Sequence, residues 1–289
     1  MDGFAAAMRI LPRRMRVSAE RLSEGERDGV EEFRVRLGFV PTYLSASGER
    51  TLKGLGAATE QEIAEILALS TNSSPYASAG SLRRGFVSAP GGVRVGVCGE
   101  GVVRDGVIST LRHISSLSIR VPREYIGCAA GLISPGSAST LIVSPPGGGK
   151  TTLLRDAVRL LSEGGCRVAV CDERGEIAGL CEGRAGFALG GRADVIAGAP
   201  KGEAAMMLLR TMNPEWLAMD EITEERDAEA CLLAANCGVK LIATAHASDE
   251  EELRRREVYD KLFRKRIFPR LLVIERCGSV RRYREAGVS

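Results

Sequence analysis

The residues Ser144-Pro145-Pro146-Gly147-Gly148-Gly149-Lys150-Thr151-Thr152 stand between an apolar run at 140–143 and an amphipathic stretch carrying Leu153, Leu154, Val158, Leu160 and Leu161. Strand, glycine loop and helix follow one another in the order a phosphate-binding loop requires. An anion is held there by converging backbone N–H groups, which only residues without a Cβ allow to approach closely. The start of the following helix adds partial positive charge. Gly147, Gly148 and Gly149 supply the backbone freedom, Lys150 neutralises the β- and γ-phosphates, and the Thr151 hydroxyl ligates Mg²⁺. The whole stretch 144–152 is therefore expected to hold a nucleotide. Ser144 occupies the place where the usual pattern has its first glycine, and because serine can still enter a turn, a modest geometric cost is expected.

Hydrolysis needs a second group of residues at the end of a neighbouring strand. Trp216-Leu217-Ala218-Met219-Asp220-Glu221 offers four apolar residues and then two acids. Asp220 is expected to position Mg²⁺ and Glu221 to take the proton of the attacking water. Cys171-Asp172-Glu173-Arg174 and Thr244-Ala245-His246 are two further polar strand ends. In open parallel sheets such ends face one crevice. Glu173 is a candidate for orienting water or Mg²⁺, Thr244 for holding a bridging water, and His246 for a γ-phosphate hydrogen bond or for relaying its loss. Taken singly, an acid at a strand end reads as plainly as a helix cap or surface charge, and a lone histidine is usually structural. Arg112, Arg120 and Arg123 precede the loop. An arginine presented from a second domain or a neighbouring subunit can stabilise transferring phosphoryl charge, and Arg120 is the candidate; a solvated strand face explains Arg120 equally well and Arg123 better. No Asn-Lys-x-Asp guanine reader follows the loop, so ATP is favoured over GTP.

The elements that must position these groups follow from periodicity. Residues 140–144, 167–171, 216–219, 240–244 and 271–275 read as strands, alternating with helices at 150–162, 202–212, 225–237 and 250–264. That alternation predicts an α/β domain with a mainly parallel sheet covered on both faces. Before it, helical spacing over 1–29 gives way to strand alternation from Glu31 to Tyr43. Thr59 and Glu62 form a capping box for a short helix, 70–81 reads as a loop, and turns at 90–92, 99–101 and 105–106 punctuate antiparallel hairpins. The expected division is a smaller α+β domain at 1–125 and a RecA-like P-loop domain at 126–289.

The 289 residues are 44% hydrophobic and 27% charged, the composition of a soluble globular protein. A net charge of +3 is too balanced to announce a nucleic acid or an anionic membrane as partner. No run approaches the length needed to span a bilayer and no export signal is evident, so a cytoplasmic protein is expected. The eight cysteines form no CxxC pair and are expected to be reduced and mostly buried.

The segments SPPGGGKTTLLRDAVRLL, CDERGEIAG, PKGEAAMMLLRTMNPEWLAMDEI and ATAHA, with EEFRVRLG and LRHISSLSIRVPRE earlier, together resemble the stage III sporulation protein AA family of endospore-forming bacteria. That family is similar to the ATPases of type II and type IV secretion and pilus machines. The resemblance implies a RecA-like domain behind an N-terminal domain, a homo-hexameric ring, ATP and Mg²⁺ as ligands, and membrane components of a sporulation channel as partners, in the mother cell. By the same similarity Lys150 and Thr151 match the Walker A residues, Asp220 and Glu221 the Walker B acids, Asp172 and Glu173 an acidic box, and His246 a histidine box. Ser144 departs from the pattern, as does Thr223, where a glycine commonly follows the Walker B acids. Slower or partner-dependent turnover is consistent with both.

Two other readings compete. RecA-like ATPases also act on single strands, and chloroplast relatives of the family carry a strand-binding module marked by an arginine and a histidine separated by three residues. Here His113 and His246 are preceded at that spacing by Ser109 and Ile242, so nucleic acid is not the expected partner. The basic runs Arg254-Arg255-Arg256, Arg264-Lys265-Arg266 and Arg281-Arg282-Tyr283-Arg284 fit solvated faces or subunit contacts. A scaffold that binds ATP with little turnover is the third reading.

Overall fold

The computed structural model describes residues 2–72, 83, 85–277 and 280–287, without the side chains of 276, 277, 280 and 287. The chain divides into two units. One comprises 1–124 together with Gly179–Phe187, the other Tyr125–Ala178 together with Ala188–Ser289.

The first unit begins with three short helices, each started by a recognisable residue. Asp2 accepts the N–H groups of Phe4 and Ala5 at the head of α1 (Gly3–Met8), Pro12 precedes α2 (Arg13–Ala19), and Ser23 with Glu26 closes a capping box on α3 (Glu24–Gly29). The strands β1 (Val30–Arg36), β2 (Thr42–Ser45) and β3 (Gly48–Thr51) follow, then α4 (Glu60–Ser70), whose Thr59/Glu62 box is formed as the spacing predicts. The strands β4 (Phe86–Ala89), β5 (Val93–Arg104) and β6 (Val107–Arg120) complete an antiparallel sheet in the order β3-β2-β1-β6-β5-β4. Phe33, Val35, Val95, Leu117 and Ile119 bury one face of it with Leu11, Met15, Ile63 and Ile66 of the helices.

In the second unit the strands are β7 (Thr140–Ser144), β8 (Val168–Asp172), β9 (Ala193–Ala197), β10 (Trp216–Met219), β11 (Lys240–His246), β12 (Arg270–Cys277) and β13 (Val280–Gly287). Their order is β13-β12-β7-β11-β10-β8-β9, parallel throughout except for the β12–β13 pair. The helices are α5 (Lys150–Glu163), α6 (Lys201–Thr211), α7 (Glu225–Asn236), α8 (Glu250–Arg254) and α9 (Glu257–Arg264). Strand side chains alternate between faces. Leu141, Val143, Ala169, Cys171, Leu217, Met219, Leu241 and Ala243 share one core with α6 to α9, while α5 packs on β7, β8, β9 and β11 outside that cluster. Both faces being covered, the central strands read as continuous apolar runs.

Several expectations need correction. The single strand expected from Glu31 to Tyr43 is two: the chain turns at Gly38 (φ +78°), and Tyr43 belongs to β2. The helix expected over 250–264 breaks at Arg255–Arg256. At about 100° per residue, Leu253 and Tyr259 would point about 120° apart on one continuous helix. The break lets both enter the core, where the Tyr259 hydroxyl donates to the Ile222 carbonyl. Edge strands β9 and β13 were not expected, one being short and half-buried, the other a run of charges.

The division at 125/126 assigns residues 179–187 to the second domain, yet they pack as part of the first unit. Gly186 and Gly179 lie so close to Gly92 that a Cβ on Gly186 would sit 2.2 Å from the Gly92 nitrogen. Of the loop expected over 70–81, residues 73–81 lie outside the described residues.

The described cysteines are free thiols, with Cys166, Cys171 and Cys231 buried, Cys128 and Cys181 half-buried, and Cys98 and Cys237 exposed. Burial pushes the Cys171 thiol up to about 12 and raises that of Cys231 as well. Alkylation of the native protein at pH 8, followed by mass spectrometry, is expected to label Cys98 and Cys237 while Cys171 and Cys231 react only after unfolding.

Candidate functional site

The strand β7 is buried along its whole length and delivers the chain to the glycine loop. Gly147 (φ +74°) and Gly149 (φ +101°) take the left-handed conformations that close the loop. Gly148 is needed for another reason: a Cβ there would lie 2.1 Å from Ser144 Oγ and 2.8 Å from Ser144 Cβ. Ser144 turns its hydroxyl into the loop, donating to the Pro145 carbonyl at 2.9 Å. The serine is thus accommodated by the missing side chain four residues later. The helix α5 opens at Lys150 with no side chain capping it, so its first N–H groups remain open to an anion.

Lys150 is 5% exposed. Its ammonium donates to the carbonyls of Ser144 (2.9 Å) and Pro145 (3.2 Å) and to His246 Nδ1 (2.9 Å). Burial lowers its pKa, and the charges of Asp220 and Glu221 partly restore it. Because the ammonium only donates, His246 Nδ1 must accept, which assigns the ring proton to Nε2. That nitrogen faces Glu221 Oε1 at 3.4 Å. The pairing of Ser144 with His246 across β7 and β11 makes this approach possible.

The acids after β10 are held just as specifically. Asp220 accepts the Thr151 hydroxyl at 3.0 Å on one oxygen and the Thr244 hydroxyl at 2.6 Å on the other. Thr244 Oγ1 in turn accepts the Glu221 N–H at 2.8 Å. Glu221 has φ +51°, a left-handed conformation that costs a non-glycine residue energy and is maintained by these surroundings. Its carboxylate is shared between His246 and Arg174, whose Nη1 lies 3.3 Å from Oε2.

Lys150, Thr151, Asp220, Glu221, Thr244 and His246 are therefore brought together with the loop 144–149. Thr244 does not need a water to act, since its side chain touches both acids' segments directly. Glu173 is engaged elsewhere, by Lys201 Nζ at 2.8 Å. Asp172 is buried and accepts three N–H groups, from Glu176, Ile177 and Ala178, so it shapes the turn after β8. Burial raises its pKa, and those hydrogen bonds oppose the rise. Thr223 donates its N–H to Asp227 Oδ2, a member of the Glu224/Asp227 capping box of α7, so its backbone is held where a glycine would be free. Arg120 lies on β6 of the first unit, two-thirds exposed and 3.9 Å from Glu32. Arg112 pairs with Glu100, and Arg123 donates to backbone carbonyls of Asp28 and Val30. Arg174 and Lys201 carried no motif of their own in the sequence and were missed as partners of the two glutamates.

The donors present suit Mg²⁺, a hard cation that takes few protein ligands and several from phosphate and water. Thr151 and Asp220 oxygens already lie 3.0 Å apart, and among the described residues no cluster of three or more His, Cys, Asp or Glu competes as an all-protein metal cage.

Sheet order, glycine loop and strand-end acids define an α/β fold whose solved structural neighbours include an ATPase and a pilus retraction motor. The Legionella pneumophila ATPase DotB superposes with a TM-score of 0.59 at 16% identity, covering 94% of this chain and 78% of that one. The pilus retraction motor PilT, solved with bound ADP, superposes at 0.61 and 14% identity, covering 92% and 81%. At such identities the likeness concerns the fold alone. Residues 5–286 match the family described as sporulation stage III, protein AA, and the chain belongs to that family. It is 35% identical over 284 residues to stage III sporulation protein AA of Bacillus subtilis (strain 168), covering 92% of this chain and 89% of the relative. It is also 30% identical over 173 residues to the protein ycf45 of Cyanidium caldarium, covering 55% and 52%. Among the described residues no helix is long and apolar enough to cross a membrane.

Gly148→Ala is expected to destabilise the protein by about 1–3 kcal/mol in urea unfolding, as overpacking does. In a Ser144→Gly background the same substitution should cost less than half as much, because the clashing atoms are gone. Equal costs in both backgrounds would mean that the serine does not set the requirement.

Proposed function

We propose that this protein hydrolyses ATP and couples the reaction to mechanical work in a sporulation-associated secretion or channel complex. The observation that carries this reading is the continuous line Lys150–His246–Glu221, running from the glycine loop to a carboxylate held in a strained conformation beside Asp220. Family membership and the likeness to an ATPase and a retraction motor support it.

The backbone N–H groups of 147–152 receive the phosphates, and Lys150 exchanges its carbonyl partners for phosphate oxygens, which offset the burial that lowers its pKa. Thr151 and Asp220 hold Mg²⁺, which supplies charge neutralisation for the transferring phosphoryl group. Glu221 accepts the proton of the attacking water. His246, accepting from Lys150 with Nε2 turned toward Glu221, links the γ-phosphate end of the site to β11. Loss of that phosphate changes the partners of Lys150 and therefore of His246, a route from chemistry to domain motion. Glu173 acts through Lys201 to fix the turn after β8, and Arg120 is exposed and only loosely paired, which suits an arginine offered to a neighbouring subunit. A homo-hexamer engaging membrane components is the assembly this chemistry would serve.

Lys150→Ala should abolish ATP binding in calorimetric titration. Glu221→Gln should bind ATP normally while phosphate release falls by about 10² to 10⁴-fold, the usual contribution of a general base. Unchanged turnover in both variants would refute the site. Solution mass with and without a nonhydrolysable ATP analogue tests the ring: a monomeric mass in both states would remove the hexamer from the proposal.

A further inference from the structure

The hairpin β12–β13 carries arginines that the site described so far does not use. Two of them are neutralised across the strands: Arg270 pairs with Glu285, and Arg284 with Glu275. Arg281 differs. Among the described residues it has no carboxylate partner, and its guanidinium lies against the glycine loop. A Cβ built on Gly149 would meet Arg281 Nε and Cζ at 3.0 Å and Nη2 at 3.3 Å. Gly149 is thus the place where an arginine from the neighbouring hairpin closes on the loop, and a side chain there would press the guanidinium back.

The side from which Arg281 arrives assigns its role. Strand β13 lies beyond β12 on one side of β7, whereas β11 and β10, which carry His246, Asp220 and Glu221, lie on the other. Lys150 and Thr151 lean toward those acids, through His246 and Asp220. A triphosphate whose γ-phosphate meets Glu221 and His246 must extend its remaining phosphates along the loop and the first turn of α5, toward β13. Tyr283 lies two residues on and so on the same face of β13, and Cys128 Sγ lies 3.8 Å from the Thr152 carbonyl in that first turn; the Arg281 charge acts on both groups. Among the described residues the guanidinium is therefore an unpaired cation at the helix-start end of the loop, where an anion would supply a partner.

We propose that Arg281 is an in-cis ligand of the α-phosphate, forming the outer wall of the nucleotide site and binding ATP and ADP alike. The proposal rests on the reading of the loop as a nucleotide site. Its contact is made equally in ground and transition states, so it acts on affinity and leaves the chemical step unchanged.

Calorimetric titration of the full chain with ADP and with a nonhydrolysable ATP analogue tests this. For Arg281→Ala, the Kd for both nucleotides is expected to rise about tenfold, the scale of one lost charge-assisted hydrogen bond. Arg281→Lys should recover most of the loss, and Arg284→Ala should bind as the wild type does. In steady-state assays KM should rise by a similar factor with kcat unchanged within about twofold, at an unaltered Tm. If Lys150→Ala loses binding but Arg281→Ala does not, the Arg281 proposal fails while the nucleotide site stands. A loss confined to the ATP analogue would place Arg281 on the γ-phosphate and overturn the α-phosphate assignment. If the wild type binds neither nucleotide, both readings fall together.

Discussion

A lysine ammonium buried at the end of an apolar strand is the constraint around which the second unit is arranged. Left alone in such a place, a charge would be lost to deprotonation or would pull the strand end into water. Lys150 is kept by two backbone carbonyls and a histidine, with two carboxylates close enough to favour its charged form. The carbonyls come from the loop's own first turn, and the histidine from the strand paired alongside. Every other feature of the site serves one of those contacts or benefits from them.

Register is what delivers them. Parallel pairing sets Ser144 opposite His246 and Met219 opposite Ala243, so the residues following β10 meet Thr244 and His246 at the sheet's carboxyl edge. A one-residue slip would send those polar ends to the opposite faces. The continuous apolar strands, covered on both sides by helices, make such a slip costly. Polar precision at the edge thus rests on nonpolar packing beneath it. The left-handed backbone of Glu221 is affordable for the same reason: Thr244 holds its N–H, and Ile222 is tied to β11 by its own backbone hydrogen bond.

Glycines mark the other places where the chain is constrained by proximity. Gly148 makes room for the Ser144 hydroxyl, Gly149 for the Arg281 guanidinium, and Gly186 for the backbone at Gly92. In each case the neighbour comes from a different distance along the chain: four residues, more than a hundred, and nearly a hundred. Only the first could be suspected from local sequence, and even there the serine was legible as a departure while its accommodation was not.

The glycine loop, the strand–helix alternation around it, the acids after the Trp216 strand and the family were all legible in the sequence, because each of these is written in contiguous residues whose types are dictated by backbone geometry or by burial. The sequence also carried the capping box at Thr59, for the same local reason. Tertiary structure alone decided which polar strand ends act together. It drew His246 to Lys150 and Glu221 but gave Glu173 to Lys201, turned Asp172 into a backbone cap, and put residues 179–187 with the first unit. It also broke the helix after Arg254 so that Leu253 and Tyr259 could share one core, and brought Arg281 over the loop. Those outcomes depend on strand order and on contacts between residues far apart in the chain, which no local pattern of types or spacing encodes.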